Sequence, residues 1–369
     1  MKLQAVELRR IAMPLVDPLR TSFGSEAERD ILLVRAVTSE AEGWGECVAS
    51  TEPLYSSEYV DGAQEVIERF FLPRLFAHDD LDAAAVGTLL DPIKGHRMAK
   101  GAVEMAVLDA ELRAAGMPLA EFLGGARDEV DCGVSIGIQE SIPELLDSVG
   151  RYLEQGYRRV KLKIEPGWDL EPVATVRERF GDDLLLQVDA NTAYTVADGP
   201  QLAKLDAFDL LLIEQPLFEE DIAGHAVLAK QVRTPICLDE SITSAKAAAD
   251  AVNAGACRIV NIKAGRVGGY LEARRVHDVC QSMGVPVWCG GMLETGLGRA
   301  ANVALASLPN FTLPGDTSAS SRYWATDITE PFVLRDGRLR VPEGPGLGVE
   351  PIPEILERFT QSVRTIERP

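Results

Sequence analysis

The 369-residue sequence predicts an α/β fold, a (β/α) barrel preceded by an α+β segment. Three observations carry that prediction. From about residue 130 onward, short apolar runs recur, each followed by a polar residue and then a helical pattern, and their ends return about every 25 residues, the length of one strand–helix unit. The runs are continuous and rich in β-branched residues, as parallel strands covered on both faces require. No glycine-rich phosphate-binding fingerprint follows the first run, which argues against a nucleotide-binding doubly wound sheet.

Ahead of the barrel, residues 1–125 read as α+β. Val6–Ile11, Ile31–Val37 and Gly43–Val48 have strand composition. Helical patterns follow at Glu58–Phe71 and Ala99–Ala115. A polar loop, Arg20–Gly24, separates the early strands, and a second loop covers Ser50–Ser57. The barrel runs are Cys132–Ile136, Val160–Ile164, Leu184–Val188, Leu210–Ile213, Ile236–Leu238, Ile259–Ile262, Val285–Trp288 and Phe311–Leu313. The tail from Phe332 to Pro369 is too rich in proline and glycine for another barrel unit and is expected to fold back on the N-terminal part.

Bulk properties exclude several function classes. There are 57 acidic residues against 37 lysines and arginines, a net charge of −20, and such a surface repels nucleic acid and anionic lipid. No run of about 18 apolar residues is present, so no membrane span is expected. The N-terminal stretch carries recurring charges and no apolar core of a secretion signal. The six cysteines form no CxxC pair and read as reduced, buried thiols of a cytoplasmic protein. The four histidines are scattered, and none shares a strand end with another candidate group.

Barrel enzymes build their sites at the C-terminal ends of the strands. Those ends carry Lys161 and Lys163, then Asp189 with Asn191, then Glu214, then Asp239 with Glu240, then Asn261 and Lys263. Residues two apart on a strand share a face, so Lys161 and Lys163 point the same way, as do Asn261 and Lys263. Middle layers of the barrel should be bulky and apolar, which places these polar groups at the mouth. Three carboxylates on adjacent strands repel one another unless neutralised, and an all-oxygen set suits a hard divalent cation such as Mg²⁺ or Mn²⁺. Lys163 and Lys263 flank the acids on opposite sides, and a nearby cation is expected to lower their pKa values and make them useful bases. A metal stabilises the charge that develops when the proton next to a carboxylate is removed. One lysine on each face then permits racemisation, and a leaving group on the β carbon permits elimination.

Lys-x-Lys at 161–163, Val-Asp-Ala-Asn at 188–191, Ile-Glu-Gln-Pro at 213–216, Asp-Glu-Ser at 239–241 and Asn-Ile-Lys at 261–263 together resemble the enolase superfamily. Opposed lysines, with Trp288-Cys289-Gly290-Gly291 and no histidine after the seventh strand, point to its muconate-lactonising subgroup. The segment 106–125 is similar to the end of that superfamily's capping domain. Asp316-Thr317-Ser318 replaces the Asp-x-Asp of dipeptide epimerases. The segments 95–102, 161–169, 289–316 and 326–332 resemble the N-acylamino-acid racemase and o-succinylbenzoate synthase family. The resemblance implies a modified (β/α)7β TIM-type barrel over 126–324 under an α+β capping domain of 1–125 completed by 325–369. It implies one divalent metal ion, Mg²⁺ with Mn²⁺ or Co²⁺ as substitutes, on Asp189, Glu214 and Asp239, and an acid–base pair Lys163 and Lys263. Lys161 and Asn191 would orient the substrate carboxylate, with Glu240 and Asn261 behind the ligands. Ser135, Gly291, Met292, Phe23 and Tyr323 would set specificity. The implied activity is racemisation of N-acyl, especially N-succinyl, amino acids through an enediolate, with o-succinylbenzoate synthesis as a second activity. A dedicated o-succinylbenzoate synthase of menaquinone biosynthesis and a muconate-type cycloisomerase are the alternatives; a non-catalytic barrel would need neither both lysines nor three clustered acids. The expected partner is a small carboxylate substrate, and the resemblance implies a homo-oligomer, commonly an octamer.

Overall fold

A computed structural model describes residues 1–369. The chain opens with an antiparallel meander of β1 (Leu3–Thr21), β2 (Gly24–Thr38) and β3 (Glu42–Cys47). The loop expected at 20–24 is narrower than its composition implied. Pairing runs on to Thr21 and Gly24, so only Ser22 and Phe23 turn the chain. The irregularity instead lies between Pro14 and Leu19, where Pro14 and Pro18 lack the N–H that a ladder needs. The expected helix at 58–71 is α1 (Val60–Val66), one π-helical turn (Ile67–Phe71) and α2 (Leu72–Phe76). A short helix not anticipated from the sequence, α3 (Ala83–Leu90), starts where the Asp82 side chain accepts a hydrogen bond from the Ala85 N–H at 2.7 Å. The long helix α4 (Arg97–Ala115) ends at Gly116, whose φ of +68° suits glycine, and α5 (Leu119–Leu123) follows. Helix α4 crosses β3 at Gly43 and Gly45, where a Cβ would strike the helix backbone at Ala106 and Ala102.

The barrel begins with β4 (Glu129–Asp131) and β5 (Gly133–Ile136), followed by α6 (Ile142–Glu154). Then come β6 (Arg159–Lys163), α7 (Leu170–Phe180), β7 (Leu185–Asp189) and α8 (Gly199–Leu202). Next are β8 (Ile213–Glu214), α9 (Ile222–Leu228), β9 (Ile236–Leu238) and α10 (Ala245–Asn253). The series ends with β10 (Ile259–Ile262), α11 (Ala264–Val267), α12 (Tyr270–Ser282), β11 (Val287–Cys289) and α13 (Gly296–Ala306). Strands β5 to β11 form one parallel sheet in sequential order. Two expected strands differ. Of the run at 210–213 only Ile213 falls within a strand, β8, although the Leu211 N–H still donates to Leu186 O on β7 at 2.9 Å. The run at 311–313 makes no strand of its own; the stretch 310–316 closes the ring through single bridges, Phe311 to Val287 and Gly315 to Cys132. Its hydrogen bonds include Gly133 N–H to Gly315 O at 2.7 Å and Asp316 N–H to Cys289 O at 2.8 Å. Proline at 309 and 314 breaks the regular donor series there.

The tail returns in two steps. β12 (Arg338–Arg340) pairs antiparallel with β4 at the N-terminal end of the barrel, and then α14 (Pro353–Phe359) leads to β13 (Thr360–Glu367), which pairs with β1 at the edge of the first sheet. Two buried carboxylates tie the N-terminal layer to the barrel. Glu46 on β3 accepts from the Thr295 N–H, the Thr295 hydroxyl and the Gly298 N–H at the start of α13. Glu104 on α4 accepts from Tyr270 and Leu271 at the start of α12. Both use the free donors and positive end of a helix N-terminus. No helix is long and apolar enough to cross a membrane, and all six cysteines are free and buried.

Candidate active site

Parallel register sets the site. Ser135 aligns with Lys161, Lys163 with Asp189, and Asp189 with Glu214, so the charged positions end their strands at one level. Strand order then puts Lys163 on β6 and Lys263 just past β10, with the three acids on the strands between them. The interior below departs from the expected apolar filling. Arg159 points inward on the same face as Lys161 and Lys163, fully buried, 5.2 Å from the centroid of the Trp288 ring. The Lys161 ammonium lies over the same ring at 4.7 Å. A small apolar cluster, Leu212, Cys237, Ile259 and Trp288, with Leu211 and Leu313 packed against it, accompanies these charged groups.

Each acid is paired. Lys161 Nζ lies 3.0 Å from Glu214, 3.3 Å from Asp189 and 2.8 Å from Asp316. Lys163 Nζ donates to Asp189 at 2.7 Å and to Asn191 Oδ1 at 2.5 Å. Lys263 Nζ donates to Asp239 at 2.8 Å and to the Tyr55 hydroxyl at 3.0 Å, while Arg266 closes on the other Asp239 oxygen. Asn261 donates to Glu214 at 2.6 Å, and Asn191 donates to Glu240 at 3.0 Å.

These contacts determine the charge states. Burial opposes ionisation of Asp189, but Lys163 and Lys161 outweigh it and hold its pKa well below the ordinary carboxylate value. Burial, followed by repulsion from Asp189, pushes Glu214 upward and takes Glu240 to about 7. Burial also opposes the charged form of Lys263, yet Tyr55, Glu240 and Glu214 together hold its pKa above that of an ordinary lysine. Lys161 is held up in the same way, by Asp316, Glu214 and Asp189 against burial. The lowering expected from the sequence for the acid–base lysines depends on a nearby cation; from the protein's own groups alone Lys263 is raised, because Tyr55 and the carboxylates outweigh burial.

The residues fit a hard divalent cation. No three metal-binding side chains are gathered into a ready cluster, because lysine and arginine nitrogens stand among the carboxylate oxygens. The donor chemistry nonetheless suits one: three fully buried carboxylates on consecutive strands, with a fourth buried oxygen, Glu240 Oε2, lacking any hydrogen-bond partner.

A cavity of about 340 Å³ opens above these groups, within the range of small-molecule sites. Lys161, Lys163, Asn191, Lys263, Ser135, Gly291, Met292, Phe23 and Tyr323 all line it. Asp189, Glu214, Asp239, Glu240 and Asn261 lie behind that wall. The roof is the β1–β2 hairpin and the loop at 50–55. Arg29 holds these together, donating to Glu26 at 2.9 Å and to Ser50 at 3.3 Å. Phe23, 38% exposed, faces Tyr55 with ring centroids 6.3 Å apart, and Ser22 donates to the Asn191 carbonyl at 3.2 Å. A larger recess of about 1180 Å³ opens beside β4 and β12 at the opposite end of the barrel, away from every candidate residue.

Sequence reasoning missed Tyr55, Arg159, Arg266 and Asp316. Asp316 lines the cavity and joins Lys161 to Arg159, each at 2.8 Å. Arg159 had a usable signal, since it continues the i, i+2 series of Lys161 and Lys163. Tyr55 lies in a loop and had none.

Comparison with known proteins places this geometry. Residues 144–355 match the enolase C-terminal domain-like family, and residues 5–124 match the mandelate racemase / muconate lactonizing enzyme N-terminal domain. The chain is similar, at 70% identity over 360 residues, to an N-succinylamino acid racemase of Amycolatopsis, with 98% of each chain covered. It is 47% identical over 368 residues to an o-succinylbenzoate synthase of Geobacillus kaustophilus, covering 99% of this chain and 98% of that one. The solved structure of an enolase-superfamily protein from Listeria innocua superposes with a TM-score of 0.96 at 40% identity, with 100% of both chains covered.

Proposed function

The chain belongs to the enolase superfamily, as a member with the mandelate racemase / muconate lactonizing enzyme N-terminal domain, and from that premise we propose that it racemises N-succinyl and other N-acyl amino acids, with o-succinylbenzoate synthesis as a second activity. The observation that carries this reading is the placement of Lys163 and Lys263 in the wall of one cavity, on strands flanking the acids. Two bases on opposite sides of one carbon are what inversion requires and what a single-sided elimination does not.

In this reading one lysine, as the amine, takes the proton from the carbon next to the substrate carboxylate. The resulting enediolate is planar at that carbon. The opposite lysine, as the ammonium, returns a proton to the other face, so the products are the mirror-image amino acid and a pair of lysines with exchanged protonation states. Lys161 and Asn191 orient the carboxylate, and the Phe23 hairpin with the Tyr55 loop excludes water above it. Asp189, Glu214 and Asp239 would hold one divalent ion, Mg²⁺ in this proposal with Mn²⁺ or Co²⁺ as substitutes, whose positive charge stabilises the enediolate. Ser135, Gly291, Met292, Phe23 and Tyr323 border the space for the acyl group and side chain. For dehydration, one lysine can take the proton and then protonate the departing hydroxide if both leave from one face, with the other lysine a cation beside the enediolate. The similarity to o-succinylbenzoate synthases favours a second reading, in which that dehydration, in menaquinone biosynthesis, is the physiological role. A cytoplasmic homo-oligomer, octameric by resemblance, belongs to the same proposal, and sedimentation velocity tests the assembly.

The test is isotope exchange. Lys163→Ala should abolish racemisation in both directions, a loss of about 10²–10⁴-fold or more. It should still exchange the α-proton of one N-succinyl enantiomer with D₂O. Lys263→Ala should exchange the other. Exchange of the same enantiomer by both variants, or racemisation by either at near wild-type rate, rules the two-base mechanism out.

A further inference from the structure

Gln215, within the Ile-Glu-Gln-Pro motif, plays no part in the scheme above, yet it is fully buried and touches all three acid-bearing strand ends. The parallel ladder between β8 and β9 is two residues long and stops at Glu214 and Cys237. Asp239 lies two residues past that last pair, so its backbone N–H has no ladder carbonyl to bond. Gln215 supplies the missing acceptor. Its side-chain Oε1 accepts from Asp239 N–H at 2.9 Å and from Ser241 N–H at 3.2 Å. Its Nε2 donates to the Ser241 hydroxyl at 2.8 Å and to the Leu217 carbonyl at 3.0 Å. Two donors and two acceptor lone pairs are all that a primary amide has, so the side chain is saturated and has nothing left for a ligand.

The main chain of Gln215 extends the link in both directions. Its N–H donates to Cys237 O on β9 at 2.9 Å, and its carbonyl accepts from Thr192, three residues past Asp189, at 2.8 Å. Its φ of +34° is a left-handed conformation that non-glycine residues adopt only where surrounding contacts impose it. Six hydrogen bonds impose it here, and together they bind the ends of β7, β8 and β9 into one unit.

We propose that Gln215 is a positioning residue that fixes the backbone of Asp239 relative to Glu214 and Asp189 and so sets the spacing of the three carboxylates for a divalent cation. This rests on the metal assignment made above. Removing the amide leaves Asp239 attached to its strand but free to drift at its N–H, with two carboxylates nearby to repel it. Partners that orient metal ligands in this indirect way typically account for about 10–100-fold in metal affinity.

The experiment measures Mn²⁺ binding to the purified, EDTA-stripped full chain by calorimetry and electron paramagnetic resonance, without substrate. Gln215→Met, similar in length and unable to hydrogen-bond, should raise the Mn²⁺ Kd about 10–100-fold. Ser241→Ala, which removes one partner of the amide from the other side, should raise it severalfold and serves if the first variant does not fold. At saturating Mn²⁺, KM for substrate should stay near the wild-type value. A purely structural role predicts a lower unfolding midpoint in EDTA with wild-type Mn²⁺ affinity; that result, in either folded variant, overturns the proposal. Wild-type protein that binds no Mn²⁺ overturns the metal assignment itself and this proposal with it. Tight wild-type binding with unchanged variants overturns the role of Gln215 alone.

Discussion

Replacing Glu104 by glutamine should make the protein more stable at alkaline pH and leave it nearly unchanged in acid. Glu104 is completely buried on α4, where its Oε1 accepts from the N–H groups of Tyr270 at 3.0 Å and Leu271 at 3.3 Å. Its Oε2 packs against Gly269, whose φ of +138° and lack of a Cβ make room for it. Burial is the dominant influence and raises its pKa from 4.5 to about 8; the two helix-end N–H groups and Arg275 act the other way, and Glu272 adds to the rise. The folded protein therefore holds a proton that the unfolded chain has lost between about pH 4.5 and 8. Stability from this site is complete below 4.5 and is lost as pH rises through 8. At about 1.4 kcal/mol per pH unit, the window corresponds to on the order of 5 kcal/mol. Glutamine is isosteric with the protonated form and keeps the acceptor, so it should match wild type at pH 5 and exceed it increasingly toward pH 8.5. Urea denaturation at intervals of one pH unit measures the difference. Hydrogen exchange at the Tyr270 and Leu271 amides locates it. Parallel stability curves for the two proteins, or a glutamine variant weakened equally at every pH, would refute the reasoning.

Other outcomes follow from the same contacts. Exhaustive EDTA treatment should abolish both activities and added Mg²⁺ or Mn²⁺ should restore them, whereas Asp239→Asn should need far more metal; full activity in metal-free protein is the opposing result. Tyr55→Phe removes the hydroxyl 3.0 Å from Lys263 but keeps the ring over it, so exchange of the enantiomer served by Lys263 should slow by about 10–100-fold, a hydrogen bond to a charged group being worth about 1.5–3 kcal/mol, with the other enantiomer unaffected. Arg159→Met deprives buried Asp316 of one of its two cations and should cost about 3–5 kcal/mol by urea denaturation. Adding Asp316→Asn should recover part of that loss, and simple additivity would argue against the coupling.

What was readable in the sequence was what periodicity controls. An inward-facing position on a parallel strand is followed by another two residues later, so Lys161 with Lys163 and Asn261 with Lys263 could be assigned to one face, and the unit length of the barrel could be counted along the chain. Elements defined by pairing alone were harder. The stretch at 311–313 has the composition of a strand, but the prolines beside it leave it to close the ring through isolated bridges. The hairpin at 22–23 looked like a wider loop because polar, exposed residues fill strands as readily as turns where neither face is covered.

The residues that escaped notice share a different property: their roles depend on what comes near them across the fold. Asp316 could be set aside as half of an absent motif, yet in the folded chain its two oxygens balance Lys161 and Arg159. Gln215 stands in a motif whose acid drew attention, while the amide beside it replaces a missing ladder partner for another strand. The same distinction explains the lysines. The sequence shows that two of them flank three acids, but the direction in which burial and charge move their pKa depends on how many carboxylates reach each ammonium. Around Lys263 that number is large enough to outweigh burial. Its proton affinity is therefore set jointly by Tyr55, Glu240 and Glu214, groups from three separate segments, and no one of those segments carries the information alone.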